Sequence, residues 1–383
     1  MTSYQTIEPT LIDDSRKPIF YITWESTLKC NLDCSYCGED AHNNAVPHPS
    51  LEECLDTADF LLEYADIYMS KRNEHQRHVS LNIFGGESLF HPNIIEILDY
   101  LKAQHTIKKY NWTLGLSTVT NAVVKERIWN RVIDHVDYFT ISYHAEATED
   151  QQELVRSNLL ALKKKGKNYH CAIMMHPKNW DNCQAMISWC QENDIKYLPR
   201  QIDHGPFNFK FYYKSEQADW FKNYYQQGSS GCGSCSTESC ESEPLFSGLK
   251  KKVFSIVNLE SKGRSCCGGT PFHLDQNYKE TQTHIENRLK GWHCSVNYFF
   301  VFVKQVTGEI FLNKDCRVNF DKEIGPIGHL KDSKKILSKL RSDLDLGQLP
   351  TVICAKNKCW CGLCAPKAAT KEKYQEIMGK YLA

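Results

Sequence analysis

A chain of 383 residues with 41% hydrophobic and 24% charged residues can bury one or two sizeable cores, which excludes wholesale disorder. Lysine plus arginine (46) balances aspartate plus glutamate (46), so no bulk charge holds the protein to nucleic acid or to an anionic membrane. Eighteen cysteines are the outlying number, and the chain is too long for a small secreted disulfide scaffold.

Residues 1–20 show neither a basic stretch nor an apolar stretch of signal-peptide type, so the expected compartment is the reducing cytoplasm. The longest purely apolar runs are about six residues, as from Tyr298 to Val303, too short to span a bilayer. In a reduced chain this many thiols points to metal binding. Seven cysteines precede Gly231 and eleven follow it.

In chain order, residues 18–27 are rich in aromatic and β-branched side chains and read as a strand. Ser50 with Glu53 three residues on is a capping box, opening a helix whose apolar positions include Leu51, Cys54, Leu55, Ala58, Leu61, Leu62 and Ala65. Residues 79–84 form a second strand stopped by Gly85-Gly86, and Pro92 suits the first turn of the helix that carries Leu98 and Leu101. Strands are then predicted over 112–119, 138–143, 169–175 and 195–202, with helices over 124–133, 149–165, 180–193 and 215–227. Gly166 is placed to cap the helix before it.

Six strand–helix units in a row imply a parallel sheet with right-handed crossovers. Six falls short of a full eight-unit barrel, so the expected fold is α/β, a partial (β/α)6 TIM-like barrel with functional residues at the carboxyl ends of its strands. Beyond the Gly/Ser-rich residues 227–242 the periodicity weakens, although 298–306 and 309–312 flank Gly308 as a hairpin and residues 367–382 read as a helix. The expected organisation is an N-terminal extension (1–17), the partial barrel (18–228), a bridging region (229–290) and a cysteine-rich C-terminal domain (291–383).

Cys30, Cys34 and Cys37 form C-x3-C-x2-C just after the first strand. A closed structural zinc site needs four protein ligands, whereas a four-iron cluster held by three cysteines leaves one iron open. The alternative at this point is a zinc site completed by His42 or a distant cysteine. Gly85-Gly86-Glu87 ends the second strand: the glycines admit a ligand close to the backbone, and the carboxylate can pair with an ammonium group.

Together these residues resemble the radical S-adenosylmethionine (radical SAM) superfamily over about residues 18–210, with Tyr36 as the aromatic before the third cysteine. The resemblance implies that a [4Fe-4S] cluster on Cys30, Cys34 and Cys37 chelates S-adenosylmethionine (SAM) and cleaves it reductively to a 5′-deoxyadenosyl radical, which takes a hydrogen from substrate. It implies that Gly85, Gly86 and Glu87 receive the methionyl amino group, with Ser88 where many members have proline. Thr120-Asn121 resembles the family's Thr-Asn-Gly, with Ala122 in place of glycine. Ser142 is positioned like the ribose-contacting serine, His144 stands where many relatives carry aspartate, and Arg156 is a candidate for the SAM carboxylate or a solvated helix-face arginine. Met174, Met175 and His176 end the fifth strand, where the resemblance offers them as a lining of the adenine pocket and core packing is the favoured alternative for the methionines.

Cys294, Cys316, Cys354, Cys359, Cys361 and Cys364 resemble the auxiliary-cluster extensions called SPASM and twitch, more loosely than the barrel motifs do. One auxiliary cluster on Cys294, Cys316, Cys361 and Cys364 is the expected set, with Cys354 and Cys359 as alternates. Cys232, Cys235, Cys240, Cys266 and Cys267 are the reservoir for a second cluster, a zinc loop or free thiols. A structural zinc ribbon is the alternative for the whole region. Asp203, His204 and Arg200 end the sixth strand, where a polar substrate group can bind. Cys54, Cys171, Cys183 and Cys190 fall inside predicted helices or strands and read as buried small hydrophobes.

In the superfamily this extension accompanies oxidation, thioether formation or carbon–carbon crosslinking of ribosomally made peptides or proteins. The expected partners are therefore a peptide or protein substrate and an electron donor such as flavodoxin or ferredoxin; Cys30 comes too early for a fused leader-binding domain, so either a separate leader-binding protein or direct recognition of the substrate is expected. The alternatives are a small-molecule radical dehydrogenase or epimerase and a non-catalytic zinc or iron–sulfur protein.

Overall fold

Along Ile19–Thr27 (β1) residues alternate between partly exposed and buried as far as Trp24 and are all buried from there to Thr27, with Phe20, Ile22 and Trp24 fully buried. That alternation makes β1 a core strand of the computed structural model, which describes residues 19–37, 42–202, 213–226, 291–312, 325–347, 351–354 and 367–379. The capping box forms as expected: the Ser50 side chain accepts the Glu53 N–H, and Leu51–Ser70 (α1) follows. The chain continues through His78–Gly85 (β2), Ile94–Ile107 (α2), Thr113–Thr120 (β3), Glu126–His135 (α3), Tyr138–His144 (β4), Glu149–Lys164 (α4), Asn168–Met174 (β5), Trp180–Glu192 (α5), Tyr197–Arg200 (β6) and Ser215–Gln226 (α6). The fold is α/β with parallel strand pairs, as the alternation implied. Gly166 takes φ +63° and lets its own N–H and that of Lys167 bond back to Lys163 and Leu162, closing α4. Among the described residues, no helix is long and apolar enough to cross a membrane.

The chain divides into two compact units. The first comprises Met1–Leu28, Val46–Ser117 and Ile285–Ala383. Here β1 pairs in parallel with β2, from Ile19 opposite His78 to Glu25 opposite Phe84. The other flank of β1 is taken by Phe300–Lys304 (β8), also parallel, with Tyr21 opposite Phe300. Glu309–Phe311 (β9) returns antiparallel to β8, and Gly328–His329 (β10) closes that edge. Residues some 280 positions apart thus share one sheet, a non-local pairing with no local sequence signature. The hairpin turns at Gly308 with φ +71°, as expected. A small sheet in the same unit pairs His293–Cys294 (β7) antiparallel with both Val352–Ile353 (β11) and Lys367–Ala368 (β12).

The second unit comprises Lys29–Ala45 and Thr118–His284. Its β4, β5 and β6 run parallel, from Tyr138 opposite Asn168 to Met174 opposite Arg200. Phe139, Ile141 and Tyr143 are buried toward one face of β4, and Ser142 and His144 take the other. Cys54, Cys171, Cys183 and Cys190 are fully buried, consistent with small hydrophobic packing.

Among the boundaries that differ from the sequence reading, including Pro92, which precedes the N-cap Asn93 rather than joining the first turn, three have a cause visible in the structure. The hairpin's first strand begins at Phe300 rather than 298, because Val296–Phe299 makes one helical turn with the Tyr298 N–H bonded to the Ser295 carbonyl. The sixth strand shrinks to four residues: Pro199 has no N–H, and the Ile202 N–H donates to the Tyr213 hydroxyl at 2.9 Å instead of to a strand. The tail helix covers Lys371–Met378 only, because Lys367–Ala368 is drawn into the small sheet.

Arg72 fixes the helical turn at 296–299. It is fully buried, its Nη2 donates to the Tyr298 carbonyl at 2.6 Å, and its guanidinium lies 5.0 and 4.9 Å from the Tyr298 and Phe299 ring centres. Arg72→Met keeps the packed volume but removes a charged hydrogen bond and the cation–π contacts, and should lower stability by about 2 kcal/mol. An unchanged urea midpoint would contradict this account of the turn.

Candidate functional site

In the second unit the cysteine loop is tied down by short polar side chains. The Cys30 N–H donates to Asn44 Oδ1 at 2.9 Å, and Cys30 Sγ accepts from the Leu32 N–H at 3.4 Å and from Asn121 Nδ2 at 3.7 Å. Asn121 Nδ2 also reaches Asn31 Oδ1 at 2.8 Å, and Asn31 Nδ2 donates to the Val123 carbonyl at 2.7 Å. Asn121, expected in a SAM-binding role from the Thr-Asn motif, thus lies beside the first cysteine. The Cys37 N–H bonds to the Cys34 carbonyl at 3.0 Å, which closes a turn between the second and third cysteines.

Ala122 follows at φ +56°, a left-handed conformation that explains why glycine suits this position. Asn158 on α4 holds it there, its Nδ2 donating to the Ala122 and Val124 carbonyls at 2.8 Å each. Asn31, Asn44 and Asn158 carry no motif, and only their hydrogen bonds reveal them.

Asp33, Cys34, Cys37, His42, Asn43 and Asn44 line a cavity of about 570 Å³. Burial first, and then the charges of the Cys37 and Cys30 thiolates, push the Cys34 thiol up to about 12. A thiol whose proton affinity is raised by burial and by two neighbouring thiolates needs a cationic centre to ionise beside them. No three His, Cys, Asp or Glu side chains among the described residues converge as a single bound ion would require. A multi-iron cluster, whose cysteine ligands stand further apart than those of one ion, fits two thiols that line a cavity and a third that accepts N–H···S bonds.

Within the loop, Tyr36 lies next to two imidazoles. Its hydroxyl is hydrogen-bonded to His144 Nδ1, and its ring lies 5.9 Å from that of His144 and 5.8 Å from that of His176. Burial lowers His144 to about 4, so the ring is neutral at pH 7. His144, which stands where many relatives carry aspartate, therefore bonds the loop aromatic. The Glu146 carboxylate accepts the Ser35 N–H at 2.8 Å and lies 3.5 Å from His176 Nε2. Ser142 sits one position back on the same face of β4 as His144, opposite Ala172.

Arg156 lies on the other side of the strand. Its Nη1 donates to Glu153 at 3.0 Å, and its charge acts on Tyr143, whose side chain points away from Ser142 and His144. Met175 is fully buried in the core, and Met174 only partly.

In the first unit, Gly85 stands opposite Thr27 where the β1–β2 register shifts, and the Gly86 N–H donates to the Thr27 carbonyl at 2.9 Å. A Cβ on Gly85 would lie 2.2 Å from that carbonyl oxygen, so a side chain is excluded. Glu87 is buried, and its Oε1 accepts the Leu89 N–H at 2.9 Å. Cys294 lies opposite Val352, and the Cys354 N–H donates to the Trp292 carbonyl at 2.9 Å. That register places the two cysteines on one face of the small sheet, and both are buried. Cys316, Cys359, Cys361 and Cys364 lie outside the described residues, as do Cys232, Cys235, Cys240, Cys266, Cys267, Asp203 and His204.

No protein-family model matches the chain. It is 33% identical over 81 residues to the antilisterial bacteriocin subtilosin biosynthesis protein AlbA of Bacillus subtilis, covering 21% of this chain and 15% of that one. It is 30% identical over 90 residues to the mycofactocin maturase MftC of Mycobacterium ulcerans, covering 24% of this chain and 21% of that one. The chain's matches thus span about a fifth or less of the length of these curated relatives. Among solved structures, Streptococcus suis SuiB bound to S-adenosylmethionine matches at a TM-score of 0.48 and 13% identity, covering 84% of this chain and 65% of that one. The resemblance to the radical SAM superfamily is borne out by these relatives.

Proposed function

We propose that the protein is a radical SAM enzyme that modifies a ribosomally made peptide or protein. The observation that carries this reading is that Cys34 and Cys37 line a cavity while Cys30, on the same loop, has the Leu32 and Asn121 N–H groups directed at its sulfur. Cys30, Cys34 and Cys37 would hold a cluster there, and the chemistry it would supply is the one-electron reduction of SAM that yields a 5′-deoxyadenosyl radical able to take a substrate hydrogen. The chain's own residues position and shield. The three thiolates hold the cluster, Asn121 and Leu32 tune its sulfur environment, and Tyr36 walls it between two imidazoles. By the family resemblance, Gly85, Gly86 and Glu87 receive the methionyl ammonium and Ser142 the ribose.

The peptide substrate class is supported by the relatives, one named for bacteriocin biosynthesis and one as a maturase. Residues 291–383 are proposed as the auxiliary-cluster region. The shared face of Cys294 and Cys354 favours Cys354 as a co-ligand over its place as an alternate. An external one-electron donor such as flavodoxin or ferredoxin and a separate leader-binding protein complete the proposed system.

The test is anaerobic reconstitution with iron and sulfide, followed by reduction in the presence of SAM. The expected result is a brown protein with at least four irons per chain that forms 5′-deoxyadenosine. A colourless, zinc-loaded protein that leaves SAM intact would overturn the reading. A yield stimulated by a sugar or nucleotide, and by no peptide encoded beside the gene, would replace the peptide substrate with a small molecule.

A further inference from the structure

Between the second and third cysteines the backbone turns tightly, the Cys37 N–H bonding to the Cys34 carbonyl at 3.0 Å. The Ser35 N–H inside this turn is taken by Glu146 Oε2 at 2.8 Å, a side chain 111 residues further along the chain. The other carboxylate oxygen, Oε1, lies 3.5 Å from His176 Nε2. His176 is oriented by its own loop: its Nδ1 accepts the N–H groups of Lys178 and Asn179 at 3.2 and 3.3 Å. With Nδ1 accepting, the neutral ring carries its proton on Nε2, and that proton faces the carboxylate. The ends of β4 and β5 therefore hold one carboxylate against the cysteine loop, beside the Tyr36, His144 and His176 rings.

We propose that Glu146 is a positioning residue for the cluster on Cys30, Cys34 and Cys37, fixing the loop between the second and third ligands and holding the bound cluster harder to reduce. The inference rests on the radical SAM reading above. The second half follows from charge. Adding an electron to a centre near a fixed negative charge is opposed by Coulomb repulsion. Net charge and hydrogen bonding around the sulfurs are the protein's levers on such a potential. Nothing in the spacing of the motif points to this residue.

The test compares wild type, Glu146→Gln and Glu146→Ala after anaerobic reconstitution. It reads iron per chain, the midpoint potential by spectroscopically monitored titration, and the melting temperature of the iron-free proteins. Glu146→Gln keeps an acceptor for Ser35 and removes the charge. It should retain its iron and show about a tenfold higher reduced-to-oxidised ratio at a fixed potential, about 59 mV for a one-electron couple. Glu146→Ala should also lose iron several-fold while the iron-free protein melts as wild type does. A wild-type potential in the Gln variant overturns the inference, as does wild-type iron content and potential in the Ala variant. A fall in the melting temperature of both iron-free variants, with the cluster lost in both, also overturns it, because Glu146 is then a folding residue only. A wild-type protein that takes up no iron fails the radical SAM reading itself, which keeps the two failures apart.

Discussion

Cys34→Ala is expected to abolish 5′-deoxyadenosine formation and to strip the cysteine loop of its iron. Cys34 lines the cavity together with Cys37, and its thiol is pushed up to about 12 by burial and by its two neighbours. Two thiolates leave a third corner of the cluster without a protein ligand, and no spare cysteine precedes Cys54, which is buried within α1. The measurement is iron per chain and product yield in the anaerobic reduced protein, with Cys190→Ala as the control. Cys190 is fully buried on α5, so its loss removes packing and should cost about 1 kcal/mol of stability without touching the iron. Product formation by the Cys34→Ala protein at the wild-type level would remove the triad from the mechanism.

Gly85→Ala should destabilise the first unit by about 3 kcal/mol. The added methyl would stand 2.2 Å from the Thr27 carbonyl oxygen, and both contacting groups are backbone, so no side-chain rotation relieves the clash. Relief requires β1 and β2 to separate at the register shift, which breaks the 2.9 Å bond from the Gly86 N–H to Thr27. Glu87, the carboxylate proposed for the methionyl ammonium, follows directly, so SAM affinity should fall together with stability. Gly115→Ala is the comparison: its nearest neighbour across the same sheet is the Val79 carbonyl at 3.8 Å, and the change should stay within about 0.5 kcal/mol. Equal urea midpoints for the two variants would show that the strand end yields more easily than its geometry implies.

Much of the fold was legible because it is local. The Ser50–Glu53 capping box, the alternation along β1 and the left-handed Gly166 after α4 each involve residues within a few positions of one another. Helical and strand periods report such relations directly. The errors lie where a distant group competes for a local backbone. Arg72 accompanies the helical turn that displaces the start of β8, and the Tyr213 hydroxyl takes the N–H that would have extended β6.

The same division runs through the candidate site. Three thiols within eight residues, and two glycines before a carboxylate, were determined by the sequence alone, because ligand spacing along one loop is itself the chemical signal. The eighteen cysteines likewise sorted by position: a triad after a strand, four buried in regular elements, and the rest toward the C-terminus. Only the tertiary structure placed Asn121 against Cys30, Asn158 under Ala122, Arg156 away from Ser142, and Glu146 on the Ser35 amide. It also set β8 beside β1 across some 280 residues of sequence. Those choices belong to strand register and to hydrogen bonds closed between remote segments. Their energies depend on which groups folding brings together, and no short window of the chain contains both partners.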